Sequence, residues 1–135
     1  QIPGAGDVSV KINQANLEEL IRQADFISIH VPKQADGSAV ITAKELEMMK
    51  DGVILANAAR GGVINESDLK AALSSGKVRA AVLDVFDNEP TPDADLLAHS
   101  GVISTPHIGA ATLEAQDRIG EELAENIMEI MKVKA

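Results

Sequence analysis

The chain has no cysteine, which excludes disulfides, zinc–thiolate sites and cysteine nucleophiles and suits a reducing compartment. Aromatic residues make up only 1% of the sequence, so stacking platforms for nucleic-acid bases are missing. The net charge of −9 also argues against nucleic acid or an anionic membrane as a partner. No apolar run is long enough to span a bilayer and no signal peptide is visible, so we expect a cytoplasmic protein.

Apolar residues, by contrast, are plentiful at 45% of 135 residues. A chain of this length can bury roughly two thirds of its unfolded surface, so we expect one globular domain with an aliphatic core. The first residue is Gln rather than Met, which predicts a processed product or a piece of a longer chain.

Predicted strands and helices alternate along the chain. Apolar and β-branched runs predict strands over residues 8–12, 26–31, 53–57, 80–84 and 102–104. Capping residues and helical periodicity predict helices over residues 17–23, 43–49, 66–74, 94–99 and 113–132. Continuous apolar strands between helices are typical of an α/β fold, with a parallel sheet that has helices on both faces in the doubly wound manner.

Three polar residues follow consecutive predicted strands: Arg60, Glu89 and His107. In open parallel sheets, ligands bind beyond the carboxyl ends of the strands. Arginine holds a carboxylate through two hydrogen bonds, histidine moves a proton near neutral pH, and a carboxylate beside a histidine fixes its tautomer. The set predicts oxidation of a 2-hydroxy acid or reduction of a 2-oxo acid, which also needs a hydride carrier.

Each of these residues also has an ordinary structural explanation. A lone loop arginine is usually solvated, a glutamate before proline is usually a turn residue, and a histidine can cap a strand end. Their shared position favours function. Asp84 ends an apolar strand, where its carboxylate needs a hydrogen bond from either a ligand amide or a backbone N–H. His30 is interpreted as packed in the core or behind the site, although its strand end could face a cofactor.

Three long blocks of the sequence resemble the D-isomer-specific 2-hydroxyacid dehydrogenases: NAARGGVINESDLKAAL, AAVLDVFDNEP and STPHIGAATLEAQDRIGEELAENI. Within that family the resemblance is greatest to the enzymes that act on 3-phosphoglycerate. It implies NAD as the hydride carrier, a small 2-hydroxy or 2-oxo acid as substrate, and Arg60, Glu89 and His107 as the catalytic set. The residues that it implies for cofactor contact are His30, Val31, Pro32, Ala58, Ala59, Arg60, Asp84, His107, Ile108, Gly109 and Ala110.

The sequence also departs from the family. The dinucleotide fingerprint G-x-G-x-x-G has no counterpart, because Gly4 and Gly6 are followed by a serine at position 9. We therefore expect residues 1–135 to form the second half of an NAD-binding domain, without the fingerprint half or the substrate domain. Weak or absent NAD binding by this chain follows. The edge of the strand at 26–31 would be bare, which predicts a homodimer through that edge.

Two other classes of function stay open from the sequence. One is an NAD-sensing interaction module of the same fold, which a basic or peptide-binding surface would favour, and this acidic chain shows none. The other is an assembly-prone half domain with no activity of its own, which turnover of NADH with 2-oxo acids would exclude.

Overall fold

Four parallel strands form one sheet in the computed structural model, which describes Ser9 and residues 11–132. In the order β1-β2-β3-β4 they are Phe26–Ile29, Val53–Asn57, Val78–Leu83 and Val102–Ser104. The flanking helices, α1 to α5, are Leu17–Gln23, Ala43–Met48, Glu66–Ser75, Ala94–Ala98 and Leu113–Lys132. The predicted α/β class with a parallel sheet is confirmed.

The helices begin where the sequence places capping residues. Asn16 caps α1 and Asn65 caps α3, each through a side-chain oxygen that accepts a backbone N–H of the first turn. Thr42 and Glu45 form the capping box of α2. Gly76 ends α3 in the left-handed conformation at φ +79°, which glycine adopts without a steric penalty. Local signals therefore set the bounds of these helices.

β2 and β4 have the predicted bounds, whereas the ends of β1 and β3 differ from prediction because they depend on pairing. The strand predicted over 26–31 stops at Ile29, which pairs with Asn57, the last residue of β2. Residues 30 and 31 therefore have no residue of β2 with which to pair. β3 begins two residues earlier than predicted, since Val78 pairs with Val53. Of the strand predicted over 8–12, positions 8 and 10 lie outside the described residues, and the other three residues are not in a strand.

One face of the sheet carries the core. Ile27, Leu55 and Ala81 lie in register across β1, β2 and β3, and all are buried together with residues of α1, α2 and α3. The other face is more open, with Phe26 70% exposed and Ile103 64% exposed. No residue of α5 is buried, although its apolar side chains recur at helical spacing.

β1 lies at one edge of the described sheet. An apolar edge strand next to an open sheet face is a surface suited to pairing with another chain, so the homodimer stays a prediction. Within residues 11–132, no helix has both the length and the hydropathy needed to cross a membrane.

Candidate active site

The loops that follow β2, β3 and β4 all leave the sheet at its carboxyl edge, because the strands are parallel. Arg60 lies in the loop after β2, Glu89 in the loop after β3, and His107 in the loop after β4. The first two loops are in contact at Gly61, where an added β-carbon would lie 1.8 Å from the carbonyl oxygen of Phe86. Only glycine fits there, so this close approach locks the two loops together.

His107 and Glu89 form a side-chain pair across the second and third loops. The Nδ1 atom of His107 lies 2.6 Å from Oε2 of Glu89, and both side chains are partly exposed. The other carboxylate oxygen of Glu89 accepts the backbone N–H of Phe86 at 2.9 Å. The bonds from His107 and Phe86 lower the pKa of Glu89, so the carboxyl is ionised near neutral pH. The contact that the sequence predicts between these two residues is therefore present.

The Asp84 carboxylate holds the loop that carries His107. It is only 7% exposed and accepts hydrogen bonds from the Thr105 hydroxyl and from the backbone N–H groups of Ile108 and Gly109, the latter two at 2.9 Å. Burial raises the pKa of Asp84, but these three bonds outweigh it and the net pKa is lowered. Of the two partners predicted for this carboxylate, the backbone N–H is the one that the structure shows.

The backbone of His107 adopts the left-handed conformation, with φ +55°. Few residues other than glycine adopt it, and it persists only where surrounding contacts hold it. Asp84 supplies such contacts on both sides of His107, at Thr105 before it and at Ile108 and Gly109 after it. The buried carboxylate therefore fixes the direction in which the imidazole leaves the loop.

Arg60 lies at the same edge of the sheet, but its guanidinium does not contact the pair. It is exposed, and its Nη1 atom donates to the carbonyl oxygen of Ala59 at 2.7 Å. The backbone that carries it is held by Asn57, whose Nδ2 atom donates to the Arg60 carbonyl at 3.0 Å. The structure thus brings Glu89 and His107 into contact and leaves the arginine side chain turned along its own loop.

His30 is not in the core. It is exposed just beyond β1, and its Nε2 atom lies 2.7 Å from Oγ of Ser28. The interpretation of His30 as a core residue is therefore wrong, because β1 ends at Ile29 and residues 30–32 beyond it are exposed. Because His30 lies at the carboxyl edge of the sheet, the second prediction, that its strand end faces a cofactor, still stands.

The other residues implied for cofactor contact also lie beyond strand ends. Val31 and Pro32 follow β1, Ala58 and Ala59 follow β2, and residues 108–110 follow β4. All are exposed except Ala59, which is partly buried against the core. The set therefore shares the edge at which parallel sheets bind ligands.

A cleft of about 360 Å³ opens beside the histidine–carboxylate pair. Its lining is mainly apolar, and the residues that form it are Phe86, Glu89, Pro90, Pro92, Leu97, Ser104, Thr105, Pro106 and His107. The pair therefore borders a space large enough for a small organic acid.

Sequence reasoning missed three residues that shape the site: Asn57, Phe86 and Thr105. Asn57 carried a usable signal, since a polar residue that ends an apolar strand often bonds the turn that follows. Phe86 acts through its backbone N–H and carbonyl, and no sequence pattern marks such a contact. Thr105 becomes significant only once Asp84 is known to lie beside it.

Comparisons with known proteins show the family of this chain. Residues 4–109 match the family model for the D-isomer specific 2-hydroxyacid dehydrogenase, NAD binding domain. The chain belongs to this family. The predicted family is therefore confirmed, and so is NAD as the cofactor of the domain.

Individual 2-hydroxyacid dehydrogenases are similar over most of this chain. D-3-phosphoglycerate dehydrogenase of Mycobacterium tuberculosis is 47% identical over 116 residues, which make up 86% of this chain and 22% of that protein. Hydroxypyruvate reductase of Thermotoga maritima is 44% identical over 128 residues, 93% of this chain and 42% of that protein. A crystal structure of a glyoxylate reductase from Paecilomyes thermophila matches with a TM-score of 0.75 at 38% identity, covering 84% of this chain and 35% of that one. The chain spans less than half the length of each.

The family's cofactor fits what the carboxyl edge offers. Asp84 Oδ1 accepts two hydrogen bonds, but Oδ2 accepts one, from Gly109. A carboxylate oxygen has two lone pairs, so Oδ2 can accept one further N–H, such as that of a carboxamide. Ala58 and Ala110 are small and exposed in the loops after β2 and β4, at the same edge of the sheet.

The contact between Gly61 and Phe86 can be tested by substitution. Gly61→Ala places a methyl group on the backbone oxygen of Phe86, and we expect unfolding to become easier by about 1–3 kcal/mol. Gly120→Ala, in open space on α5, should instead be neutral or stabilising by about 0.5–1 kcal/mol. Denaturant unfolding of both variants measures the difference, and equal effects at the two positions would contradict the locked contact.

The role of Asp84 predicts a pH-dependent stability. Asp84→Asn removes the charge that accepts three hydrogen bonds, and we expect a loss of about 1–3 kcal/mol near neutral pH. The pKa of Asp84 is lower in the folded state than in the unfolded state. The stabilisation by its charge is therefore complete above the unfolded-state pKa of about 3.9, and it is lost as the pH falls through the lower pKa of the folded state. Unfolding free energies of wild type and variant should therefore converge in acid.

The exposed carboxylate of Asp117 on α5 gives the matched control. Asp117→Asn should change stability by less than about 0.5 kcal/mol. A difference between wild type and Asp84→Asn that stayed constant down to the most acid pH would show that the charge is not what stabilises the loop.

Proposed function

We propose that this chain carries the catalytic groups of an NAD-dependent 2-hydroxyacid dehydrogenase, specifically D-3-phosphoglycerate dehydrogenase of serine biosynthesis. The observation that supports it most is the contact between His107 Nδ1 and Glu89 Oε2 at the carboxyl edge of the sheet, bordering a cleft. A histidine paired with an ionised carboxylate beside a substrate-sized space is an arrangement for proton transfer. The absence of cysteine suits an activity in the cytoplasm.

His107 moves the proton in this proposal. Its Nδ1 atom donates to Glu89, so its Nε2 atom is the ring nitrogen that meets the substrate. During oxidation, neutral Nε2 takes the proton of the substrate hydroxyl, and during reduction, protonated Nε2 returns a proton to the carbonyl oxygen. The left-handed backbone of His107 keeps this nitrogen in one direction.

Glu89 supports His107 in two ways. Its carboxylate selects the tautomer with the proton on Nδ1, and its negative charge stabilises the imidazolium that forms during oxidation. The bond from Phe86 N–H to Oε1 keeps the carboxylate in position, so it does not have to reorient when the charge on histidine changes.

Arg60 binds the substrate carboxylate in this proposal. Its guanidinium is exposed and donates to the Ala59 carbonyl, and a substrate carboxylate can replace that carbonyl as the acceptor. A planar guanidinium binds a carboxylate through two parallel hydrogen bonds, which also fixes the orientation of the reacting carbon.

NAD, when bound, supplies or accepts the hydride. The residues that would hold it are those at the carboxyl edge, with Oδ2 of Asp84 able to accept one amide N–H. His30 and the exposed residues that follow β1 would border the adenosine part.

The choice of substrate rests on the relatives. Those at 47% identity are named for 3-phosphoglycerate, but a hydroxypyruvate reductase at 44% and a glyoxylate reductase structure at 38% follow closely. All three names refer to acids with a hydroxyl or oxo group beside the carboxylate. The higher identity favours D-3-phosphoglycerate dehydrogenase.

An assay of the full-length gene product tests the substrate. Oxidation of NADH is followed with 3-phosphohydroxypyruvate, hydroxypyruvate and glyoxylate, and we expect the highest kcat/KM with the phosphorylated acid. A higher kcat/KM with hydroxypyruvate or glyoxylate would make that acid the substrate, while the proposed reaction class would stay the same. No turnover with any 2-oxo acid would contradict the proposed function.

Substitutions in the same protein test the assigned roles. His107→Gln should lower kcat by about 10²–10⁴-fold, because the proton then lacks a carrier. Glu89→Gln should lower kcat less, since the amide can still accept from Nδ1 without its charge. Arg60→Lys should mainly raise KM for the 2-oxo acid, because an ammonium cannot make the two-bond contact.

Matched controls come from residues of the same type elsewhere. His99→Gln alters the histidine after α4, and Arg79→Lys alters an exposed arginine of β3. Both should leave kcat and KM within about twofold. If His99→Gln and His107→Gln lowered kcat equally, the loss would reflect folding rather than proton transfer.

A further inference from the structure

Asn57 is a polar side chain at a core position. It ends β2 and is only 3% exposed. Its register partners in the neighbouring strands, Ile29 and Leu83, are buried and apolar, as are Val53 and Leu55 earlier in β2. A polar amide in such a place is costly unless its hydrogen-bonding groups find partners.

Both partners of the Asn57 amide lie in the turn that carries Arg60. Oδ1 accepts the backbone N–H of Ala59 at 3.1 Å, and Nδ2 donates to the carbonyl oxygen of Arg60 at 3.0 Å. The side chain therefore binds the backbone immediately before and at the arginine. We propose that Asn57 is the positioning residue for Arg60 and thereby sets how tightly the substrate carboxylate is bound.

A second anchor lies directly after the arginine. Gly61 packs on the carbonyl of Phe86, and the N–H of Phe86 donates to Glu89. The base of the Arg60 side chain is thus held between Asn57 on one side and the Glu89 loop on the other. The guanidinium itself is exposed, so the two anchors fix where the side chain starts while its end stays free to meet a ligand.

This inference rests on the proposed function, in which Arg60 binds the substrate carboxylate. A shift of about 1 Å at an orienting group can cost as much as 100-fold in rate. Because the Asn57 side chain bonds to Ala59 and Arg60 rather than to Glu89 or His107, its removal should weaken substrate binding and leave proton transfer intact.

The experiment compares Asn57→Ala and Asn57→Ser in the full-length gene product. We expect KM for the 2-oxo acid to rise about tenfold with alanine and less with serine, whose hydroxyl can still accept one bond. KM for NADH and the pH dependence of kcat should stay within about twofold. A loss that fell on kcat, or equally on both substrates, would overturn the inference.

A double-mutant cycle isolates the path through the arginine. If Asn57 acts through Arg60, Asn57→Ala should add no further loss of kcat/KM in an Arg60→Ala background. If the two substitutions lowered kcat/KM additively, Asn57 would act independently of Arg60, through the structure alone. If Arg60→Ala alone leaves KM unchanged, the proposed function itself fails, whereas a raised KM in Arg60→Ala with a normal KM in Asn57→Ala contradicts only the role of Asn57.

Hydrogen exchange gives a readout that does not depend on activity. The Ala59 amide loses its acceptor in Asn57→Ala and should exchange about tenfold faster, while the Phe86 amide, bonded to Glu89, should not change. Asn16→Ala is the matched control, because it removes an asparagine that caps α1. It should cost some stability without moving KM or the Ala59 amide.

Discussion

The carboxylate of Asp84 is the group on which the rest of the site depends. Burying a charge at the end of a strand is unfavourable unless several donors surround it, and here three donors from one loop do so. The same bonds hold His107 in a backbone conformation that it would otherwise rarely adopt. The same three hydrogen bonds therefore offset both the cost of burying the charge and the cost of the unusual backbone conformation, and they weaken if the charge is lost.

The three loops form a connected structure rather than separate pieces. Asp84 joins the loop after β3 to the loop after β4, and Gly61 on Phe86 joins the loop after β2 to the loop after β3. The N–H of Phe86 also donates to Glu89, so the backbone of one residue contacts both the arginine loop and the carboxylate of the histidine pair. A parallel sheet makes this possible because all its strands end at the same edge.

The helices could be predicted from sequence, because capping residues and apolar spacing act over a few neighbouring positions, and the family could be predicted from three long sequence blocks. The end of β1 could not, since Ile29 ends β1 because Asn57 ends β2, although β2 and β4 have their predicted bounds. The same distinction holds in the site. Glu89 and His107 could be paired from their positions after adjacent strands, whereas the part played by Phe86 lies in its backbone and appears only when Gly61 is seen against it.

The names of the relatives bear on the chemistry proposed for this chain. Proteins named for 3-phosphoglycerate, hydroxypyruvate and glyoxylate share 38–47% identity with it over most of its length, although their substrates differ in size and charge. What those acids have in common is a carboxylate beside the reacting carbon and one oxygen that gains or loses a proton. Arg60 suits the first feature, and His107 with Glu89 suits the second. In the proposed function, the groups at this sheet edge contact what these acids have in common, and discrimination between the acids comes from contacts with the part that varies.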